Sequence, residues 1–210
     1  MGEPPDVTVY SSAQPAAAFV LAHGAGAGQA SAFMTGFARG MAERGITTAT
    51  FDFPYMIAQR KVPDPAPVLE AHWVKAIEAT REQLGELPLF IGGKSMGGRI
   101  ASQVAAGRHP AVAGLVFLGY PLHPPGRPDR LRDAHLPHVV EPMLFVQGTR
   151  DPFGTASEIR DLLPRLRHAE LHEVEGGDHS FKVTGRRGVK PVEVMGEIMD
   201  VVAAWMKRAP

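Results

Sequence analysis

Leu87-Pro88-Leu89-Phe90-Ile91-Gly92-Gly93-Lys94-Ser95-Met96-Gly97-Gly98-Arg99-Ile100 is the stretch on which the reading of this chain turns. Its apolar start is long enough for a buried parallel strand, and apolar periodicity resumes just after the glycines. The spacing therefore predicts a strand, a sharp turn and a helix. Inside the turn, Gly93-Lys94-Ser95-Met96-Gly97 matches G-x-S-x-G. A serine at the centre of such a turn takes a strained conformation, and a Cβ on either flank would collide with the neighbouring strand or helix. The turn holds the Ser95 hydroxyl above the sheet edge and aims the N-terminus of the following helix at the same spot. A phosphate-binding loop of the form G-x-x-x-x-G-K-[ST] is excluded, because it requires glycine where Pro88 stands.

Working outward, Ala16 to Leu21 is a continuous apolar run, suited to a strand covered on both faces. It ends in His23-Gly24-Ala25-Gly26-Ala27-Gly28, a loop whose backbone can approach a ligand closely. Before it, Val7 to Tyr10 alternates like an edge strand. Helical spacing marks Ser31 to Arg44, with Gly45 as its stop, and Val68 to Leu84, closed by Gly85. Ile46 to Phe51 is a β-branched strand, and the prolines from Pro54 to Pro67 predict a loop. Val112 to Leu118, Met143 to Val146 and Ala169 to Val174 read as further strands, with helices over Thr155 to Leu166 and Pro191 to Lys207.

Strands alternating with helices at short intervals imply βαβ units and a mostly parallel sheet with helices on both faces. Right-handed crossovers place the loops after successive strands along one edge. Ser95, Asp151 and His179 each follow a strand and so share that edge. Their chemistry is complementary. A serine hydroxyl attacks an acyl carbon once a base removes its proton, an imidazole serves as that base and later as the acid, and a carboxylate orients the imidazole. The backbone N–H groups of Met96 and Ala25 are the expected oxyanion donors. Glu141, Glu175 and Asp178 are alternative acids, although Asp178 adjoins His179 too closely for easy side-chain pairing. His23 is read as support for its loop. Pro137 between His135 and His138 argues against a metal site there.

Composition narrows the function further. The chain has 210 residues, 44% of them hydrophobic, enough for one substantial core and hence a single domain over residues 1–210. Lys and Arg number 22, as do Asp and Glu, so nothing global points to nucleic acid or an anionic membrane. The absence of cysteine removes disulfides and thiolate chemistry. The start, Met1-Gly2-Glu3-Pro4-Pro5-Asp6, does not read as a signal peptide, and no apolar run reaches the roughly 18 to 20 residues that span a bilayer. The expectation is a cytoplasmic monomer or homodimer acting on a small-molecule acyl substrate, without metal or organic cofactor.

The order serine, acid, histidine is that of an α/β-hydrolase, and the chain resembles that superfamily from His23-Gly24 to His179. Gly92 to Arg99, with Phe53-Pro54-Tyr55 and Gly148-Thr149-Arg150-Asp151-Pro152-Phe153-Gly154, resembles the small lidless group that includes the testis-expressed protein 30-like and KAT8 regulatory complex subunit 3-like proteins, related to dienelactone hydrolases. The resemblance implies an α/β-hydrolase fold and a serine esterase or related acyl hydrolase, thioester hydrolysis and acyl transfer included. Some relatives are thought to serve as complex subunits, so a silent binding or scaffold protein is the rival reading. Ser95 stands where dienelactone hydrolases proper carry cysteine, which puts their substrate in doubt. Tyr120 to Pro142, where many members insert a cap, is too short for a lid domain, implying an open, shallow site. Lys182, Arg186, Arg187 and Lys190 form either a solvated basic loop or a rim that favours anionic substrates.

Overall fold

The computed structural model describes residues 5–107, 111–183 and 190–209. Seven strands form one sheet in the order β1-β3-β2-β4-β5-β6-β7. They are β1 Val7–Tyr10, β2 Ala17–Ala22, β3 Ile46–Phe51, β4 Leu89–Lys94, β5 Gly114–Leu118, β6 Met143–Gly148 and β7 Ala169–Val174. Only the edge strand β1 is antiparallel, pairing Val7 with Phe51 through Tyr10 with Thr48. Every other neighbour runs parallel.

Alternation along β2 explains its unbroken apolar run. Ala18, Val20 and Ala22 join one core with Trp73, Ile77, Ile100 and Val104. Ala17, Phe19 and Leu21 join another with Phe37, Met41, Ile198 and Trp205. The first core lies under α3 (Ala66–Leu84), α4 (Met96–Ala106) and α5 (Ala156–Leu162), the second under α1 (Ala32–Glu43) and α6 (Pro191–Arg208). A strand covered on both faces favours apolar side chains at every position, and the polar ones that the sheet does bury, such as Thr48 in β3 and Gln147 in β6, have hydrogen-bond partners.

The proline-marked stretch departs from the loop expected there. Pro54–Ile57 is a one-turn helix, α2, and α3 begins at Ala66. Pro54 and Pro67 stand in first helical turns, where the missing N–H has no intrahelical partner to lose. The helix expected to reach Leu166 ends at Leu162 and tightens into a 3-10 turn, Leu163–Arg165, around Pro164. Tyr120 to Pro142 carries one short 3-10 turn, Leu136–His138. Among the described residues no helix is long and apolar enough to cross a membrane.

Candidate active site

Ser95 links β4 to α4 with φ 50° and ψ −116°, a conformation a non-glycine residue holds only under constraint. The constraint is close packing. A Cβ on Gly97 would stand 2.5 Å from the carbonyl oxygen of Ala22 and 2.7 Å from that of His23, and Gly93 faces the same Ala22 carbonyl. These glycines let the end of β2 lie directly on the elbow, which brings the loop carrying Ala25 beside Ser95. Trp73 Nε1 donates to the Gly97 carbonyl at 3.3 Å and fixes the start of α4 from the other side.

His179 follows β7 and Asp151 follows β6. His179 Nε2 lies 2.9 Å from Ser95 Oγ, and its Nδ1 lies 2.7 Å from Asp151 Oδ2. Because Nδ1 faces a carboxylate, it carries the ring proton and leaves the Nε2 lone pair to accept from the serine hydroxyl. Asp151 is buried, and its Oδ2 also accepts from Gln147 Nε2 at 3.0 Å while Oδ1 accepts from the Phe153 N–H at 2.8 Å. The Phe153 ring covers the imidazole, centroids 4.3 Å apart and planes 32° from parallel, which limits rotation of His179. The structure thus brings together the three side chains singled out by the sequence.

The other acids are spent elsewhere. Asp178 Oδ1 accepts from the N–H groups of Ser180 and Lys182, closing its own turn, and Glu141 Oε2 accepts from the Val140 N–H. Glu175 is exposed. His23 is fully buried; Nδ1–H donates to the Gly24 carbonyl at 2.7 Å and Nε2 accepts from the Phe53 N–H at 3.1 Å. With that lone pair used, the 3.5 Å approach of Asp52 to Nε2 is not an ion pair. Burial also pushes the His23 pKa below its usual value, in keeping with a neutral ring that shapes the loop. Tyr55 donates to the carbonyls of Gly24 and Ala25, at 3.4 and 3.1 Å, and burial raises its pKa to about 12.

A second serine–histidine contact, Ser102 Oγ to His135 Nε2 at 2.8 Å, runs in the opposite sense. The Ser102 hydroxyl donates to the Arg99 carbonyl at 2.7 Å, so His135 must donate to Ser102 and cannot act as its base. Ser102 is also fully buried. Burial and then the Arg99 charge pull the His135 pKa down to about 4. Among the described residues no three His, Asp or Glu side chains cluster as a metal site would need.

Ser95 and His179 open on a pocket of about 580 Å³ whose other walls are Gly24, Ala25, Gly26, Ala27, Phe33, Met34 and Phe153, with Ser31, Lys94 and Ser180 as its polar members. Clefts of about 640 and 680 Å³ lie at the opposite end of the sheet and hold none of the three side chains. Met96 is the first residue of α4, so its N–H has no intrahelical partner. Lys182 and Lys190 are exposed and do not line the pocket, and Arg186 and Arg187 lie outside the described residues. Sequence reasoning missed Gln147, Phe153 and the contacts of Lys94. A glutamine inside the buried run Met143–Gly148 was the one available signal, since a buried amide needs partners.

A family model described as "Alpha/beta hydrolase domain" matches residues 15–207. Among solved structures, dienelactone hydrolase from Anabaena variabilis superposes with TM-score 0.76 at 21% identity, covering 97% of this chain and 91% of that one. An α/β serine hydrolase without lid from Xanthomonas campestris gives 0.74 at 22%, covering 98% and 91%. A monoacylglycerol lipase from Paleococcus ferrophilus gives 0.72 at 16%, covering 98% and 99%. At such identities these likenesses establish the α/β-hydrolase fold and leave chemistry to the site. Matched along nearly its whole length by that model and built on that sheet, the chain belongs to the alpha/beta hydrolase domain family.

Proposed function

We propose that this protein is a serine hydrolase of small esters or thioesters, with Ser95 as nucleophile, His179 as general base and acid, and Asp151 as the residue that orients His179. The observation that carries the reading is the continuous hydrogen-bonded line from Ser95 through His179 to Asp151 at the wall of a pocket. His179 Nε2 takes the hydroxyl proton as Ser95 Oγ attacks the acyl carbon. The imidazolium, facing Asp151, then gives that proton to the departing alcohol or thiol. Water repeats the sequence on the acyl-serine, releasing the acid and restoring the hydroxyl.

The tetrahedral oxyanion is assigned to the N–H groups of Met96 and Ala25. Met96 supports this as the first amide of α4. For Ala25 the support lies in its peptide. His23 and Tyr55 hold the Gly24 carbonyl, and in a trans peptide the Ala25 N–H points the other way. Losing one such donor costs on the order of 3 kcal/mol in the transition state.

Phe33, Met34, Ala27 and Phe153 favour a small uncharged acyl group, apolar or aromatic. Structural relatives described as an esterase domain and a monoacylglycerol lipase are consistent with ester bonds as the target. The motifs around Ser95, Tyr55 and Asp151 favour the lidless group noted above, with serine in place of the dienelactone hydrolase cysteine. A fluorophosphonate probe tests the proposal. The expected result is an adduct located on Ser95 by mass spectrometry and absent from Ser95→Ala. A folded protein that takes no label would refute an activated serine and favour the binding-protein reading.

A further inference from the structure

Lys94, the residue just before the nucleophile, does not extend into solvent. Its Nζ donates to the main-chain carbonyl of His179 at 2.5 Å and stands 5.4 Å from the centroid of the Phe181 ring. Room for it exists because residue 119 is glycine. At φ +70°, a Cβ on Gly119 would lie 3.0 Å from Lys94 Nζ and 3.4 Å from both Nδ1 and the carbonyl oxygen of His179. The ammonium and the imidazole therefore border the same small space.

Asp151 and Phe153 hold the imidazole, and other hydrogen bonds hold the main chain of its loop away from residue 179. Arg150 N–H donates to the Gly177 carbonyl at 2.9 Å, and Gly176 N–H donates to Thr149 Oγ1 at 2.8 Å, tying the start of the loop to the end of β6. Asp178 closes the remainder on itself through Ser180 and Lys182. Lys94 reaches across from β4, the strand that carries Ser95, to the main chain of residue 179. Phe181, buried with φ +60°, is held beneath the same ammonium.

An uncharged side chain of similar length would pack on Phe181 without the cost of a buried charge. That cost is present here: burial pulls the Lys94 pKa down to about 8, against the opposing pull of Asp151 and Asp178. A pKa of about 8 leaves Lys94 mostly protonated at pH 6.5, the ordinary midpoint of an imidazole. Among the described residues, the charged groups near His179 include Asp151 from the loop after β6, Lys94 from β4, and Asp178 and the exposed Lys182 from its own loop.

We propose that Lys94 is a positioning residue that ties the histidine-bearing loop to the nucleophile's strand and sets its positive charge beside the imidazole that serves as base. This rests on the serine-hydrolase reading above. Three substitutions separate the tether from the charge: Lys94→Met removes both, Lys94→Gln keeps a donor, and Lys94→Arg keeps both. With p-nitrophenyl acetate as probe, Lys94→Met is expected to lower kcat about 10- to 100-fold with little change in KM. The acid limb of its kcat/KM profile should move up by about one pH unit. Lys94→Arg should restore the limb, whereas Lys94→Gln should recover part of kcat and leave the limb displaced. A Lys94→Met protein with native circular dichroism, wild-type kcat and an unmoved limb would overturn the proposal. A second readout needs no turnover: the protonation midpoint of the His179 ring by NMR, its resonance identified by loss in His179→Asn. If wild type neither turns over nor takes the fluorophosphonate, the hydrolase reading fails on its own, and this midpoint still decides the matter for Lys94. An upward shift in Lys94→Met supports the proposal and an unchanged midpoint refutes it.

Discussion

Gln147 shows how one buried amide can serve two separate pieces of backbone and a buried carboxylate. Its Oε1 accepts from the Tyr120 N–H at 2.7 Å, and its Nε2 reaches Asp151 Oδ2, the Gly154 carbonyl at 2.6 Å and the Tyr120 carbonyl. Gln147→Leu would keep most of the volume, leave the Tyr120 N–H and the Gly154 carbonyl without this partner in a buried place, and take one donor from Asp151. The expected loss is about 2 to 4 kcal/mol of stability, read by urea unfolding, and at least about 10-fold in kcat as Asp151 loses a fixed partner. At this scale legibility followed covalent neighbourhood. Ser95, Met96 and Ala25 sit inside glycine motifs that announce themselves, and Asp151 and His179 end strands in the expected order. Gln147, Phe153 and Lys94 act through partners from 4 to 85 positions away along the chain, which no local pattern records.

The elbow ties β4 and α4 to the end of β2 so closely that a single methyl would disrupt it. In Gly97→Ala the new Cβ would meet the Ala22 and His23 carbonyls, both backbone and unable to swing aside. A loss of about 3 kcal/mol or more is expected, seen as a lowered Tm or as insoluble protein. A Tm within about 2 °C of wild type would show that β2 can retreat. The elements themselves were readable because their periodicities are strong: Ile46–Phe51 and Ala169–Val174 agree with the sequence to the residue. Misreadings gathered at prolines. Pro54 and Pro67 fit first helical turns as well as loops, and only the packing of Tyr55 and Leu69 into the core selects the helix.

For the whole molecule, one buried and two half-buried histidines couple stability to acidity. Burial lowers the pKa of His23, His72 and His135 from 6.5, in the last case to about 4. Between these values the unfolded chain binds protons that the folded protein refuses, so stability is full above about pH 6.5 and is lost as pH falls. Urea midpoints should therefore be lower at pH 5 than at pH 7.5, and His135→Gln, which can still donate to Ser102, should flatten that slope. A midpoint unchanged across this range would show that these rings titrate normally. The general architecture was legible because a doubly covered parallel sheet imposes apolar runs on its central strands. The division of side chains between its two cores became visible only with the sheet order in hand.

The line of side chains at the pocket is also a matter of timing. Ser95 and its imidazole partner are 84 positions apart, and the histidine follows the last strand of the sheet. A chain emerging from the ribosome would carry the serine as an ordinary alcohol until β7 had settled against β6. Reactivity would thus arrive as one of the last events of folding, and uptake of an active-site label by stalled nascent chains would clock the completion of the native state.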